Sequence, residues 1–229
     1  MEFDDVIRTT FAARRFTDDP VPDEALWQIL DTARFAPSGG NRQGAHVIVV
    51  RDGQTKARIA DLSKPAARRY LAQRRAGEVP WNTVHDSSIT DADLATAPGV
   101  DDFVAPLIQA PVLLVVTIDL SQVAATDAEL DRVGIVGGAS VYPLVWNILT
   151  AARASGFGGT ITTMAAAQEP GMQELLGVPA PYAVAAVLPI GRPVRQLTKL
   201  RRETVPEFVT LERFDGEPFG GVPGEESGE

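Results

Sequence analysis

An apolar stretch over residues 130–155 constrains this chain more than any other part of its sequence. The spacing predicts that it forms the longest helix, closed by Gly156, and its apolar residues leave almost no polar face. A helix that is apolar on every side has to be buried on every side. Because 229 residues offer little material to cover it, we expect a second subunit to complete its burial. Pro143 is expected to bend this helix.

Three short apolar runs, rich in β-branched residues, predict buried strands. They span residues 47–50, 111–119 and 183–190, and the first is expected to be covered on both faces. Helical spacing predicts helices at residues 4–13, 56–62, 65–77 and 170–176. A further helix is predicted between Asp23, which caps it, and Ala36, where the following proline stops it. Helices and strands are therefore mixed along one chain.

Charge and residue content argue against several classes of function. The formal net charge of −9 argues against a general nucleic-acid or anionic-membrane surface. The chain has no cysteine and only two histidines, which excludes thiol nucleophiles and disulfides and argues against a histidine-rich metal site. No run approaches the ~20 apolar residues of a membrane span, and the acidic first residues lack the apolar segment of a signal peptide. We expect a cytoplasmic protein without nucleic-acid or membrane partners.

A small polar loop lies between the helix that begins at Asp23 and the first strand. Ser38, Gly39, Gly40 and Asn41 give a backbone that can approach a ligand closely and that offers N–H donors. Such a loop is either a plain turn or part of a cofactor site.

Basic residues occur near both ends of this acidic chain. Arg14 and Arg15 lie beside an extended, proline-rich segment, where they form either a solvated charge pair or an anion contact. Lys199, Arg201 and Arg202 follow the exit of the last strand, and a local cluster of this kind is typical of binding to a particular anion such as phosphate. The chain has no nucleophile elbow, P-loop or G-x-G-x-x-G motif after a strand. We therefore expect a phosphorylated cofactor to supply the chemistry.

The composition changes over residues 78–102, which are polar, interrupted by prolines and helical only near 92–97. A connection this long within a compact domain is typically a functional lid or a disordered linker. Trp81 in this segment either covers a pocket or attaches the segment to the body of the domain.

These patterns predict the organisation of the chain. We expect a single domain over residues 1–215 with a lid-like excursion at about 78–105. Residues 208–214 are predicted to add an edge strand or arm, and residues 216–229 to form a disordered tail.

Several segments, in their order along the chain, resemble the FMN-dependent nitroreductase family. They are A-R-R-F-T-D-D-P-V-P, A-R-F-A-P-S-G-G-N-R-Q, W-N-I-L-T-A-A-R-A-S-G-F-G, E-L-L-G-V-P, L-P-I-G-R-P and K-L-R-R. The resemblance runs from about residue 6 to 214. It is most similar to mycobacterial NAD(P)H nitroreductases, which share the G-G-N-R-Q-G and G-A-S-V-Y-P stretches.

The resemblance implies an α+β fold with a mostly antiparallel sheet flanked by helices. It also implies an intertwined homodimer, with the apolar helix in the dimer core and two FMN molecules at the interface. The flavin would carry the chemistry, without a catalytic side chain or a metal.

The resemblance further implies which residues would contact FMN. Arg14 and the C-terminal Lys199 and Arg201, with Arg202 as a neighbour, would contact the phosphate. The loop of Pro37, Ser38, Gly39 and Asn41 would reach the flavin from the opposite subunit. The backbone N–H groups of Thr160, Ile161 and Thr162 would lie near the flavin N5 and pyrimidine ring, and Trp81 is assigned to the substrate or lid.

The sequence departs from the family pattern in three places. Many members carry R-x-S-x-R at the N-terminal phosphate site, whereas Thr10 and Ala12 stand here before Arg14. Many also have Q-P-W after the polar loop, where this chain has Q-G-A, and threonines replace a glutamate–glycine pair beside N5. These departures put the phosphate affinity and the substrate preference in question.

The resemblance implies a ping-pong reaction. NADH or NADPH, with NADPH slightly favoured, would pass a hydride to the flavin, and a nitroaromatic or quinone would then accept two electrons. Arginines at residues 65–77 or in the lid are candidates for contact with the 2′-phosphate of NADPH. The alternatives are an FMN-binding protein without efficient turnover and a reductive dehalogenase or flavin-modifying enzyme of the same fold.

Overall fold

The computed structural model of the chain describes residues 1–220. By its internal contacts, the chain divides into two compact units, Met1–Leu197 and a smaller unit that begins at Thr198. Within residues 1–220, no helix is both long enough and apolar enough to cross a lipid bilayer.

The larger unit is built on a four-stranded antiparallel sheet with the strand order β1-β2-β4-β3. The strands are β1 (Ala45–Val50), β2 (Val112–Asp119), β3 (Gly158–Gly159) and β4 (Tyr182–Gly191). In the register, Val47 faces Val116 and Val115 faces Val187. The predicted α+β class with a mostly antiparallel sheet is confirmed.

Helices cover the sheet on both faces. The larger unit contains α1 (Phe3–Thr9), α2 (Asp23–Ala33), α3 (Gly53–Arg75), α4 (Asp91–Ala95), α5 (Val100–Gln109), α6 (Tyr142–Ala154) and α7 (Glu169–Leu176). Short 3₁₀ turns occur at Gly39–Asn41, Leu120–Gln122, Val136–Ser140 and Met164–Gln168.

Strand β2 separates two hydrophobic cores. Its residues from Val112 to Ile118 are all buried, and alternate side chains of a strand point to opposite faces. Leu114 and Val116 pack with α2 and α6 in the first core. Leu113 and Val115 pack with α3, α5 and α7 in the second core. The run of β-branched and leucine residues in β2 is the sequence consequence of burial on both faces.

The prediction that the first strand is covered on both faces is confirmed only in part. Val47 packs against the first core and Val50 belongs to the second. Strand β1 is the last strand of the sheet on its side and pairs only with β2. His46 and Val49 are exposed, Val49 to 43%. A β-branched run therefore marked the strand correctly but did not distinguish an edge position from a central one.

The apolar stretch at 130–155 forms a shorter helix than predicted. Helix α6 begins only at Tyr142, and Val136–Ser140 form a 3₁₀ turn before it. Pro143 lies in the first turn of α6, where a missing N–H group costs no intrahelical hydrogen bond, so it starts the helix rather than bending it. Gly156 ends this segment with a positive φ of 80°, as predicted.

The two helices predicted at 56–62 and 65–77 are one helix of 23 residues, α3. Pro65 lies inside it and removes one backbone donor. Ile59, Ser63, Ala66 and Ala67 are buried at helical spacing on both sides of this proline, so packing against the second core continues across it. Tertiary packing outweighs the local cost of the proline here.

The predicted excursion at 78–105 is partly helical. The short helix near 92–97 is confirmed by α4, and the end of the predicted excursion belongs to α5. Val100, Val104 and Leu107 are buried on one face of α5, a helical spacing that the surrounding acidic residues obscured.

The smaller unit contains α8 (Val205–Phe208) and a backbone bridge between Thr210 and Pro218. The helical turn therefore ends at Phe208, the first residue of the stretch predicted as an edge strand or arm. Residues 221–229, most of the predicted disordered tail, lie outside the described residues.

Candidate functional site

A cavity of about 630 Å³ lies on the side of the sheet that α3 and α5 cover. Its wall is formed by side chains of these two helices, by residues 160–164 and by Arg14 and Pro189. Ligand sites in proteins commonly measure about 300–1,000 Å³. The cavity is therefore large enough for a nucleotide-sized ligand.

Main-chain hydrogen bonds bring Arg14 to this cavity. The N–H of Ala13 donates to the carbonyl of Gly159 (2.9 Å), and the N–H of Val194 donates to the carbonyl of Arg15 (3.0 Å). The segment around Arg14 is thus held along the sheet edge formed by β3. The Arg14 side chain is exposed and forms no ion pair within residues 1–220, its Nη1 donating only to the Ala12 carbonyl at 3.3 Å. It is available to an anion.

Residues Thr160, Ile161 and Thr162 line the same cavity. Thr162 forms a two-way backbone bridge with Val187, donating at 3.0 Å and accepting at 2.8 Å. The N–H of Thr162 is therefore already used by the sheet, although it was predicted to face the flavin. Just before this segment, a Cβ at Gly159 would lie 2.5 Å from the Pro189 carbonyl oxygen. Only glycine, which has no Cβ, allows the main chain to pass this close to Pro189 as it reaches the cavity wall.

Sequence reasoning named the arginines at residues 65–77 only as candidates for the 2′-phosphate of NADPH, and it missed the other side chains that α3 and α5 contribute to the cavity wall. Tyr70 and Arg74 of α3 and Asp102 and Phe103 of α5 line it. Tyr70 and Phe103 form a tilted aromatic pair with ring centroids 5.2 Å apart. The spacing of Ser63, Tyr70 and Arg74 along α3 matches one helical face, a signal that was present but could not show which way that face points.

The polar loop at residues 37–43 does not form part of this cavity. Ser38 Oγ accepts from the N–H of Gln43 (2.9 Å), and Gly40, Asn41 and Gln43 have positive φ values. Pro37, Ser38, Gly39 and Asn41 do not line the cavity that contains Arg14 and Thr160. The loop packs instead on the segment after β2, where a Cβ at Gly39 would lie 3.3 Å from Ser140 Oγ.

The C-terminal basic residues belong to the smaller unit. Lys199, Arg201 and Arg202 are all exposed, and Arg202 Nη1 donates to the carbonyl of Arg201 (2.6 Å). Their contact with a phosphate stays a prediction.

Hydrogen bonds attach the loop that follows α3 to the end of this helix. Gln73, 1% exposed, accepts from the N–H of Trp81 and donates to Glu78. Glu78 also accepts from Ser87 and from the N–H and hydroxyl of Ser88, at 2.6–2.7 Å. These bonds, chiefly those from Ser87 and then Ser88, lower the pKa of Glu78 to about 2. We call Gln73 and Glu78 together the loop clamp.

Trp81 lies under the guanidinium of Arg69, whose Cζ is 4.4 Å from the indole centroid. It does not line the cavity of Arg14 and Thr160. Of the two roles that the sequence left open for Trp81, this contact supports attachment of the loop to the body of the domain.

A buried carboxylate organises the segment before α6. Asp127, 4% exposed, accepts from the N–H groups of Ile135 (2.8 Å) and Val136 (3.3 Å) and from Arg132 (2.8 Å), all through Oδ2. The bond from Ile135, followed by that from Arg132, lowers the pKa of Asp127 to about 2. The segment that Asp127 holds leads to Ser140, which supports the loop at 37–43.

Within residues 1–220, no three His, Asp or Glu side chains are grouped so that they could hold a metal ion. The titratable groups that line the cavity are Arg14, Tyr70, Arg74 and Asp102. The arrangement offers cations, an aromatic wall and backbone groups of an edge strand rather than a general acid–base pair.

A family model described as the nitroreductase family matches residues 7–192. The chain belongs to this family. The matched range includes both walls of the cavity and the whole sheet, and it ends before the smaller unit begins.

This nitroreductase-family chain is also similar to individual proteins. It is 26% identical over 183 residues to an NADH dehydrogenase of Thermus thermophilus, covering 80% of this chain and 82% of that protein. A BluB-like flavoprotein from Clostridium difficile has a TM-score of 0.69 at 21% identity, covering 93% of this chain and 100% of that chain. The NADPH:FMN oxidoreductase of Vibrio harveyi, solved with NAD+, has a TM-score of 0.63 at 19% identity, covering 91% and 76%. At these identities the solved structures show a common fold. The finer resemblance to mycobacterial members stays a prediction.

Asp127→Asn is expected to destabilise the protein at neutral pH and to flatten its acid sensitivity. The folded pKa of Asp127 is about 2, below its ordinary value of 3.8. Its contribution to stability is therefore present above pH 3.8 and is lost as the pH falls toward 2. Thermal midpoints followed by circular dichroism between pH 7 and pH 2.5 measure this effect.

Asp131→Asn is the matched control, because Asp131 is an exposed carboxylate of the same segment. Equal pH dependence in wild type, Asp127→Asn and Asp131→Asn would contradict the role given to Asp127.

Proposed function

We propose that this protein is an FMN-dependent oxidoreductase that takes reducing equivalents from NAD(P)H and passes them to a nitroaromatic or quinone. The observation that carries the proposal is the shared cavity of Arg14 and residues 160–164. Membership of the nitroreductase family supports it, as does the similarity to proteins named as an NADH dehydrogenase and as an NADPH:FMN oxidoreductase.

The residues present fit a flavin nucleotide. Arg14 offers a guanidinium without an ion-pair partner in the described part of the chain, and such a group binds phosphate well. Thr160 and Ile161 bring the edge strand to the cavity wall beside it. Gly159 permits this close approach because it has no Cβ.

FMN, when bound, would accept a hydride at N5 from NADH or NADPH and supply two electrons to the acceptor that follows in a ping-pong sequence. The protein would contribute orientation rather than proton transfer. Arg14 would fix the phosphate end. The backbone of Thr160 and Ile161, just after β3, would align the ring, and Tyr70 and Phe103 would limit access of water to the cavity.

We further propose that the protein acts as a homodimer. Tyr142 and Trp146 of α6 are each more than 40% exposed in the single chain, and Ile135 just before the helix is 70% exposed. Uncovered aromatic and aliphatic side chains in one region are typical of an interface between subunits. In such a dimer, the loop of Pro37, Ser38, Gly39 and Asn41 would complete the partner's flavin site.

Three finer proposals remain from the sequence. Lys199, Arg201 and Arg202 would supply further phosphate contacts, NADPH would be the preferred reductant, and the protein would work in the cytoplasm.

The purified protein is expected to show visible flavin absorption. Under anaerobic conditions NADPH should bleach these bands, and a nitroaromatic or a quinone should restore them. Stopped-flow spectra of the two half-reactions measure both steps separately. A colourless protein that takes up no FMN would overturn the proposal. Flavin bands that no reductant bleaches would instead favour the alternative of an FMN-binding protein without turnover.

Arg14→Ala is expected to raise the dissociation constant of FMN by about 10- to 100-fold, because hydrogen bonds to a charged group contribute about 1.5–3 kcal/mol. Quenching of flavin fluorescence on titration with protein measures the constant. Arg15→Ala is the matched control, since Arg15 is adjacent and exposed but does not line the cavity. Equal losses in the two variants would show that Arg14 has no particular role.

Trp146→Glu is expected to shift the molecular mass in solution from that of a dimer to that of a monomer, because a charge would be buried at the proposed interface. Light scattering after gel filtration measures the mass. Val84→Glu, which adds the same charge at an exposed site in the loop after α3, should leave the dimer intact. A monomeric wild type, or a dimeric Trp146→Glu variant, would refute this assembly.

A further inference from the structure

We propose that Arg74 binds an anionic group on the molecule that exchanges electrons with the flavin and thereby sets the substrate preference of this site. The inference rests on the proposed function, because it assigns Arg74 to the second ligand of the cavity that would hold FMN. The ligand class is a planar molecule that carries a phosphate or a carboxylate.

The basic residues of α3 differ in the groups that they contact. Lys64 pairs with Asp61 and Asp101, each at 2.9 Å. Arg69 lies over the ring of Trp81. These two cations already have partners and do not line the cavity of Arg14.

The pocket that each side chain lines distinguishes Arg74 from Arg68 and Arg75. Arg68 lines a different, shallow surface pocket together with Asp101 and Asp102, and Arg75 does not line the cavity of Arg14. Arg74 does line it. It forms no ion pair within residues 1–220. Of the arginines at residues 65–77, the structure therefore leaves Arg74 as the candidate for an anion contact in the cavity.

Arg74 lies beside an aromatic surface. Tyr70 is four residues earlier on the same helix, so the two side chains are neighbours on one face. Tyr70 packs against Phe103, and both rings line the cavity. A planar group can contact these rings while a group at its edge reaches the guanidinium.

The charged side chains among the described lining residues are two arginines and one aspartate. Arg14 and Arg74 enter the cavity from different segments, and Asp102 is the one carboxylate among the described lining residues. If Arg14 is neutralised by the FMN phosphate, Arg74 is the cation left for a second ligand. Asp102 would keep weakly bound anions out, so that the anion has to be held by the guanidinium directly.

Two sources could supply this chemistry, the 2′-phosphate of the reductant and a carboxylate on the acceptor. Two ligand pairs distinguish them. The first pair is 2′,5′-ADP and 5′-AMP, which differ by the 2′-phosphate, and the second is 4-nitrobenzoate and nitrobenzene, which differ by the carboxylate.

Isothermal titration of these four compounds into the flavin-loaded protein tests the proposal without turnover. In wild type, the member that carries the additional anionic group should bind about tenfold more tightly than its partner in at least one pair. Arg74→Ala should abolish that difference by weakening the binding of the member with the additional group. Arg74→Lys should retain part of it, because the charge remains but the planar fork is lost. Arg75→Ala is the matched control and should behave as wild type.

The kinetic counterpart is a rise in KM in Arg74→Ala that is larger for the substrate with the additional anionic group than for its analogue without that group. Equal affinity of both members of each pair for wild type would overturn the proposal. So would a loss in Arg74→Ala that affects both members alike, or the same loss in Arg75→Ala.

The flavin spectrum of each preparation keeps the two proposals distinguishable. A protein that takes up no FMN refutes the proposed function. A protein that holds FMN and turns over NAD(P)H, but shows no anion preference that depends on Arg74, refutes only the role of this residue.

Discussion

Burial of β2 on both faces is the constraint on which the rest of the larger unit depends. Every residue from Val112 to Ile118 is buried, so α2 and α6 must cover one side and α3, α5 and α7 the other. The separation of the two cores by β2 explains why α3 and α5, and not α2 and α6, line the cavity. It opens on the side of α3 and α5, whereas the exposed aromatic side chains of α6 belong to the opposite layer. The cavity and the exposed aromatic side chains of α6 therefore lie in different layers of the larger unit.

Backbone hydrogen bonds, more than side chains, assemble the site. Arg14 reaches the cavity because Ala13 pairs with Gly159, and residues 160–162 reach it because Thr162 bridges to Val187. Substituting the threonines would leave these main-chain contacts in place.

Sequence patterns predicted the parts that depend on local order and missed those that depend on tertiary contacts. The order of motifs placed Arg14 and Thr160 in one site, and the structure brings both to one cavity. The edge position of β1 and the passage of α3 through Pro65 were not predictable, because neighbouring elements decide both. Arg74 could not be separated from Arg69 or Arg75 by sequence, since the three differ only in the direction that helical phase and contacts give them.

The loop clamp and the cavity wall share the last turns of α3. Gln73, which holds the N–H of Trp81, is adjacent to Arg74, and Tyr70 is less than one turn earlier. Under the role proposed for Arg74, a ligand that orders the last turn of α3 would also favour the clamped loop, and by reciprocity a clamped loop would raise the affinity for that ligand. Selection for a new substrate can then act through loop residues that never touch it.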